Sequence, residues 1–252
     1  MSPAPRTHVT TSWDDGHPLD LRVADLLARY GLQGTFYVPM QSERPTMTPA
    51  QVREIASRFE VGAHTLHHRD LTALDDASAA EEIAGSRVWV EGVVGGPCTS
   101  FCFPKGHFRR RHLALVRRAG FAVARTTELL SLDRPRPSEG LLVMPTTVQA
   151  RPHSPAVYAR NCAKRGAVRG FWRYVVHGHT SDWVALTRAL HGLALAEGGV
   201  FHLWGHSWEI DDEGQWERLD EALRYLEHFS AEAPCVTNGA LTGSPVAETV
   251  TA

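Results

Sequence analysis

The sequence lacks the features of a membrane-spanning or exported protein. Although 43% of its 252 residues are hydrophobic, it has no apolar run of the roughly 17–25 residues that a helix needs to cross a bilayer. Residues Met1 to His8 have neither the basic start nor the apolar stretch of a signal peptide. These absences predict a cytoplasmic location and no transmembrane helix.

Cysteine pairs and an excess of one charge are also missing. The four cysteines show no spacing typical of a metal site; they are Cys98, Cys102, Cys162 and Cys235. On one strand, Cys98 and Cys102 would have Cα atoms roughly 13 Å apart, too far for a disulfide, so we expect free, buried thiols. The formal net charge of -2 gives no electrostatic reason to expect nucleic acid or a membrane as a partner.

Strand-like and helix-like segments alternate along the chain, without an internal repeat or a linker. Short β-branched and apolar runs predict strands at 7–13, 34–39, 60–65, 99–104, 121–126, 141–148, 200–204 and 234–237. Because helical patterns separate most of them, we predict an α/β fold with a parallel sheet, closed or nearly closed into a barrel. We expect one domain over residues 1–252, with its core at 7–238 and a frayed tail at 239–252.

Two segments carry proline or glycine where the pattern is less regular. Residues Leu129 to Gly140 are predicted to form a loop. The strand predicted from Leu141 to Val148 contains Pro145, which favours a sheet edge or a bulge. Residues 155–196 are predicted to be mostly helical, with interruptions at glycines.

Two adjacent carboxylates, Asp14 and Asp15, follow the first predicted strand, and Gly16 allows the backbone to turn. Carboxylates this close repel each other unless a cation lies between them or one holds a proton. Sites in barrels of alternating strands and helices lie at the C-terminal ends of the strands. The pair therefore predicts a functional site, although Asp-Asp-Gly also suits an ordinary solvated turn.

Histidines follow the third predicted strand. His64 and His68 are four residues apart, so one helical turn would bring both imidazoles to one face. Two imidazoles and one carboxylate leave positions open on a metal for water and substrate. His67 is a competing ligand, because residues three apart on a helix also meet, and a surface histidine cluster is the alternative to a metal site.

A further histidine, His206, follows the strand predicted at 200–204, where it could titrate near neutrality and act as a general acid. His202, within that strand, is expected to be a hydrogen-bonded core residue. Trp13, Trp204 and Trp208 would either line a sugar-stacking cleft or pack in the core.

These stretches together resemble the NodB-type polysaccharide deacetylases, carbohydrate esterase family 4. Ser12 to Gly16 resembles the family's first motif, usually Thr-Phe-Asp-Asp-Gly, and His64 to His68 matches the second, His-(Ser/Thr)-x-x-His. Phe101 to Gly106 resembles the third motif, and His206 resembles the last. The resemblance spans Thr7 to about Glu209.

The resemblance implies a distorted (β/α)7 barrel that removes an acyl group from an amide nitrogen. One divalent metal ion, zinc or alternatively cobalt or nickel, would bind Asp15, His64 and His68. Asp14 would be the base that takes a proton from the attacking water, and His206 would protonate the departing amine.

The third motif implies contacts to the substrate and to the oxyanion. Within Pro104, Lys105 and Gly106, the backbone N–H of Lys105 would stabilise the oxyanion, and Trp204 would contact the substrate. The arginine with which this motif often begins, and which orients the catalytic aspartate, is here Cys102. Arg125, on the predicted fifth strand, is a candidate substitute, with a surface arginine as the alternative.

The family's fourth motif, an Asp-Trp pair after the fifth strand, is missing where we expect it, and Asp182-Trp183 lies too far along the chain. With no export signal visible, this favours a small N-acylated amino sugar or related compound as the substrate over chitin or peptidoglycan. We therefore predict a metal-dependent N-deacetylase. An Fe(II) oxygenase with the same two-His-one-carboxylate set and a catalytically silent carbohydrate-binding member of the fold are the alternatives.

Overall fold

A computed structural model describes residues 7–242 of the chain. Within them, nine strands form one sheet: β1 Thr7–Trp13, β2 Thr35–Val38, β3 Glu60–Ala63, β4 Ser100–Cys102, β5 Val123–Arg125, β6 Arg136–Ser138, β7 Leu141–Met144, β8 Val148–Gln149 and β9 Gly199–Gly205. The strand order is β6-β7-β5-β4-β3-β2-β1-β9-β8. All neighbours pair in parallel except β6, which is antiparallel to β7.

The sheet is organised around β1, which lies between β2 and β9. β1 pairs with β9 along its whole length, from Thr7 opposite Gly199 to Trp13 opposite Gly205. Six of the seven β1 residues are buried, because helices cover one face of the sheet and side chains fill the other. Pairing on both sides fixes where β1 ends relative to its neighbours, and therefore where the residues that follow it lie.

Nine α-helices lie in the described residues: α1 Asp20–Arg29, α2 Pro49–Ala56, α3 Asp76–Val94, α4 Arg110–Arg118, α5 Pro155–Arg165, α6 Val168–Arg173, α7 Trp183–Glu197, α8 Ser207–Asp212 and α9 Trp216–His228. Local signals set several of their ends. At α2, the Thr48 hydroxyl accepts from the Gln51 N–H while the Gln51 side chain accepts from the Thr48 N–H, which is a capping box. At α3, Gly95 ends the helix with a φ of 73°.

The strand predicted from Leu141 to Val148 is wrong as a single element. Proline cannot donate to a ladder, and Pro145 separates β7, which pairs with β5, from β8, which pairs with β9. The two pieces lie toward opposite ends of the strand order. The loop predicted at 129–140 also contains a short strand, β6, that forms a hairpin with β7.

The fold class predicted from the sequence is confirmed as a curled α/β sheet. Among residues 7–242, no ladder joins the two edge strands, β6 and β8, so the sheet is a distorted and open barrel. The predicted strand at 234–237 reduces to a bridge between Val9 and Cys235. None of the described helices combines the length and the apolar character needed to cross a membrane.

The predicted domain limits stay a prediction. Gly239–Thr242 form a turn of 3-10 helix, and the buried Gly239 donates its N–H to Glu60 Oε2 over 2.9 Å. The rest of the predicted tail, 243–252, lies outside the described residues.

Candidate active site

A cavity of about 670 Å³ opens at the C-terminal ends of the strands. The segments that follow β1, β3, β4 and β9 contribute the side chains that sequence reasoning selected. Those that line it are Asp14, Asp15, His64, His68, Lys105, Gly106, Trp204 and His206. The structure therefore brings together residues that are up to 192 positions apart, as a parallel sheet requires when every strand ends at the same edge.

The backbone around this cavity adopts unusual conformations. Four of the six non-glycine residues with positive φ in the described chain lie in the predicted site: Asp15 at 74°, Thr65 at 63°, His68 at 51° and Lys105 at 57°. The left-handed region is costly for most L-residues and especially for a β-branched residue such as Thr65. Surrounding contacts must hold these conformations, so side-chain direction at the site is set by the backbone.

Three donor atoms converge at the end of β1. Asp15 Oδ1 lies 3.4 Å from His64 Nε2 and 3.1 Å from His68 Nε2. His64 Nδ1 lies 2.8 Å from the carbonyl oxygen of Cys102, to which it donates its proton. That bond fixes a proton on Nδ1, so Nε2, which faces Asp15, is the nitrogen that a metal ion would take.

The second carboxylate oxygen of Asp15 is also held in place, by the indole N–H of Trp208 at 3.0 Å. Burial alone would raise the pKa of Asp15, but hydrogen bonds from His64 and His68 outweigh burial and lower it well below its usual range. Asp15 is therefore an anion that faces two imidazoles. This set of one carboxylate and two imidazoles fits a divalent metal such as zinc, with positions left open.

A second group of donor atoms, Asp14, His64 and Cys102, is also close enough to surround an ion. Its chemistry fits a metal poorly. Burial raises the pKa of the Cys102 thiol, and a protonated thiol is not a metal ligand. Asp14 is already paired with an arginine. Of the two groups, Asp15 with His64 and His68 is the candidate metal centre.

The arginine beside Asp14 is Arg125, at the end of β5. Its Nη2 forms an ion pair with Asp14 Oδ1, and both side chains are buried. The Cys102 thiol lies 3.8 Å from the other Asp14 oxygen, and the Trp204 ring covers the guanidinium at 4.6 Å. Arg125 thus contacts Asp14 from within the protein and does not line the cavity. Because its side chain is fully buried, the alternative prediction of a surface arginine is wrong.

His206 lies on the opposite side of Asp15, with its Nε2 3.9 Å from Asp15 Oδ2. Its Nδ1 is 2.6 Å from Glu209 Oε2. Burial would lower the pKa of His206, but the hydrogen bond to Glu209 and the charge of Asp15 raise it above its ordinary value. His206 is therefore held as a proton donor whose Nε2 faces the cavity.

Glu209 was not singled out by the sequence. It lies in the first turn of α8, three residues after His206, and it also binds Gln149 Nε2 at 2.9 Å and Arg151 Nη1. The His-x-x-Glu spacing at a helix start was the signal for it. Nothing in the sequence pointed to Gln149 and Arg151, because their position depends on how Pro145 divides the predicted sixth strand.

The remaining predicted residues are placed as follows. Lys105 and Gly106 line the cavity, whereas Pro104 is buried behind them. Trp204 and Trp208 line it as well. Trp13 does not, because it is fully buried in the core. His202, expected in the core, is buried, and its Nε2 lies 2.8 Å from Ser12 Oγ.

One known protein family matches part of this sequence. Residues 2–124 match the sequence model of a family described as polysaccharide deacetylase. The match covers just under half of the chain. Those residues include the ends of β1, β3 and β4, which supply Asp14, Asp15, His64, His68 and Lys105. The resemblance inferred from the motifs is therefore confirmed, while the roles of individual residues stay predictions.

Solved structures of polysaccharide deacetylases and related esterases share this fold. A Mycobacterium smegmatis protein assigned as a polysaccharide deacetylase has a TM-score of 0.71 at 14% identity, covering 96% of this chain and 91% of its own. A family 4 carbohydrate esterase from Streptomyces lividans, in complex with acetate, has a TM-score of 0.54 at 16% identity, with 90% of each chain covered.

The peptidoglycan deacetylase PdaC from Bacillus subtilis has a TM-score of 0.56 at 16% identity, covering 96% of this chain and 93% of its own. No curated protein matches the sequence. At these identities the solved structures establish the fold, and the chemistry has to be argued from the residues of this chain.

Proposed function

We propose that this protein is a metal-dependent N-deacetylase that hydrolyses the amide of an N-acylated amino sugar or a related small molecule. The observation that carries the proposal is the convergence of Asp15, His64 and His68 on one point, with Asp14 close to His64 and His206 Nε2 3.9 Å from Asp15 Oδ2. Base, metal donors and acid are each present once.

Asp15, His64 and His68 would hold one divalent ion, with zinc, cobalt and nickel as the candidates for this donor set. When bound, such an ion lowers the pKa of water to about 7 and polarises a carbonyl oxygen. The left-handed backbone of Asp15 and His68 presents their donor atoms without rearrangement, which favours a site formed before the ion arrives.

Asp14 is the proposed general base. Its ion pair with the buried Arg125 fixes the carboxylate geometrically and leaves it next to the metal donors. A base must lie within hydrogen-bond reach of the proton that it removes, so this fixed position is what the reaction requires of Asp14. Arg125 acts through Asp14 and is a positioning residue.

His206 is the proposed general acid, since an amide nitrogen leaves readily only after it gains a proton. Glu209 accepts a hydrogen bond from Nδ1, so the proton available for transfer is the one on Nε2, which faces the cavity. The backbone N–H of Lys105, in a segment that lines the same cavity, would stabilise the oxyanion, and one such donor contributes about 3–4 kcal/mol.

Carbohydrate recognition is supported by Trp204 and Trp208, whose rings line the cavity and can stack on a sugar. The relatives include a peptidoglycan deacetylase and an esterase complexed with acetate. The cavity of about 670 Å³ lies in the range typical of small-molecule sites. An N-acetylated amino sugar, free or attached to a carrier, is the substrate class that we propose.

The two alternative functions have less support. An Fe(II) oxygenase would use the same three donors, but its reaction does not need a general acid such as His206 hydrogen-bonded to Glu209. A silent binding module would have no need of a buried arginine fixed to Asp14.

The proposal is tested by measuring acetate and formate release from a panel of N-acyl amino sugars, after chelation and reloading with zinc, cobalt or nickel. We expect release only from the reloaded enzyme. Oxygen consumption with a 2-oxo acid and iron, or binding of the sugars without acid release, would replace the hydrolase by one of the alternatives.

A further inference from the structure

An apolar stripe lies exposed on the helix that follows α5. Only six large hydrophobic side chains are exposed in residues 7–242, and five of them fall within nine residues: Val168, Phe171, Trp172, Val175 and Val176. We call these five residues the α6 stripe. Trp172 is 68% exposed and Val168 is 78% exposed.

The spacing of the stripe is i, i+3, i+4, i+7, i+8, which is the pattern of a helix face that normally packs into a core. Here that face points to solvent, and the opposite face, made of Gly170, Tyr174 and Gly178, is buried. α6 continues into a π-helical turn over Tyr174–Gly178, so the stripe runs along one continuous helical segment.

The outward orientation is fixed by the two glycines. A Cβ on Gly178 would lie 2.3 Å from Leu186 Cδ1, and a Cβ on Gly170 would lie 3.2 Å from the Leu130 carbonyl oxygen. Because both glycines pack closely against these neighbours, side chains as large as Trp172 or Val176 would fit on the inner face only if Leu130 and Leu186 moved. The exposure of the stripe is therefore built into the fold.

Basic residues outnumber acidic ones around the stripe, where Arg173 pairs with Glu197 and a surface pocket at Val168 and Arg169 also includes Glu128 and Asp133. Residues 140–181 contain no aspartate or glutamate, although they contain six arginines and lysines. Three of these, Arg160, Lys164 and Arg169, are exposed, and ion pairs found within residues 7–242 do not include them. The chain as a whole has a formal net charge of -2, so its average charge conceals a local basic region.

From these observations we infer that the α6 stripe is a peripheral docking site for an anionic phospholipid surface. An exposed apolar face bearing tryptophan and bordered by basic residues is the composition that lies in the headgroup region of a bilayer. The charge of the whole chain gives no reason to expect a membrane partner, whereas the local charge of this region does. The helix segment is too short to span a bilayer, so docking is to the surface.

A second copy of the chain fits the same face less well. A symmetric dimer through the stripe would bring the basic residues of both copies to one interface, and like charges gathered there are unfavourable. An anionic lipid surface instead neutralises them. Charge complementarity thus decides between the two occupants.

The docking site adjoins the wall of the catalytic cavity. α5 connects the two, because its Arg165 donates to the Gly106 carbonyl oxygen over 2.6 Å and its Asn161 donates to the Thr127 carbonyl oxygen over 2.8 Å. The inference does not depend on the proposed deacetylation, since lipid binding is measured without substrate or metal.

The test is co-sedimentation of the full chain with vesicles of phosphatidylcholine alone and of phosphatidylcholine with 30% phosphatidylglycerol. We expect binding to the anionic vesicles only. Replacing Trp172 and Val176 together by serine should weaken that binding at least about tenfold, because two buried apolar groups are lost. Both side chains are exposed, so the fold should not change.

Matched controls separate local from general effects. Val88→Ser removes the one exposed large hydrophobic outside the stripe in the described residues and should leave binding unchanged. Neutralising Lys164 and Arg169 with glutamine should weaken binding several-fold, as should 0.5 M salt. Arg53→Gln, an exposed arginine on α2, should not.

Two results would overturn the inference. One is that the protein sediments equally with vesicles that contain phosphatidylglycerol and vesicles that lack it, or that it sediments with neither. The other is a concentration-dependent dimer in analytical ultracentrifugation that Trp172→Ser with Val176→Ser converts to monomer, since a second copy would then cover the stripe.

Discussion

The two sides of the cavity are built in different ways. On the donor side, Asp15, His64 and His68 come from the ends of β1 and β3, and the backbone of Asp15 and His68 is held in the left-handed region. On the acid side, His206 and Glu209 belong to one helix start, and side chains brace them. The donor side is therefore fixed by the fold, whereas the acid side is fixed by replaceable side chains.

The comparison predicts that damage on the donor side is the most severe. Asp15→Asn removes the only carboxylate among the three donors, so we expect loss of metal and a fall in turnover of about a thousandfold or more, because a bound ion supplies several kcal/mol. Metal content and acetate release measure both effects. Asp25→Asn, on the surface of α1, is the control, and full metal content in Asp15→Asn would contradict the assignment.

Replacing Asp14 separates the loss of proton transfer from the loss of metal binding, because Asp14 is not one of the three proposed metal donors. Asp14→Asn should lower turnover about 10²–10⁴-fold, the usual contribution of a general base, while the protein still binds one equivalent of metal. Undiminished acetate release would show that Asp14 is not the base.

On the acid side, His206→Ala should affect substrates according to their leaving group. We expect a fall of about 10²–10⁴-fold for an N-acetyl amino sugar. For 4-nitrophenyl acetate, whose leaving group needs no proton, the fall should be smaller than about tenfold. Equal losses on both substrates would mean that His206 positions the substrate and does not protonate the amine.

The smallest expected effect is that of Glu209→Gln, about tenfold in kcat/KM. Because the hydrogen bond to Glu209 helps to raise the pKa of His206, its loss should lower that pKa. The alkaline limb of the kcat/KM profile, where His206 loses its proton, should then move to lower pH.

Glu213→Gln is the matched control for Glu209→Gln, since Glu213 contacts Arg151 at 2.7 Å but makes no hydrogen bond to His206. Its pH profile should stay like that of the unchanged enzyme. An identical shift in both variants would mean that Arg151, and not Glu209, sets the pKa of His206.

The sequence was informative where chemistry and strand ends coincide. Asp14, Asp15, His64, His68 and His206 were each found from a polar cluster after an apolar strand, and the parallel sheet brings them together without further assumptions. For Arg125 the sequence leaves two interpretations open, a partner of the catalytic aspartate or a surface residue, because a sequence does not tell whether an arginine on a strand faces solvent or the interior.

The acid side and the far strands were less predictable. Pro145 divides one predicted strand into β7 and β8, and the position of Gln149 and Arg151 beside Glu209 follows from that division. Which neighbour each piece pairs with depends on the whole sheet and not on local composition. The α6 stripe has a regular helical spacing, but only the structure reveals that this face is turned outward.

The burial of Arg125 has a practical consequence for capturing substrate complexes. Asp14 is the one carboxylate paired with this buried cation within residues 7–242, so an inert Asp14→Asn enzyme carries an uncompensated charge in its interior, which typically costs about 3–5 kcal/mol. The Asp14→Asn protein would therefore unfold at a lower temperature than the unchanged enzyme, which makes it a poor sample for crystallisation. His206 is the better position at which to silence the enzyme, because Glu209 keeps Arg151 and Gln149 as partners when the imidazole is gone.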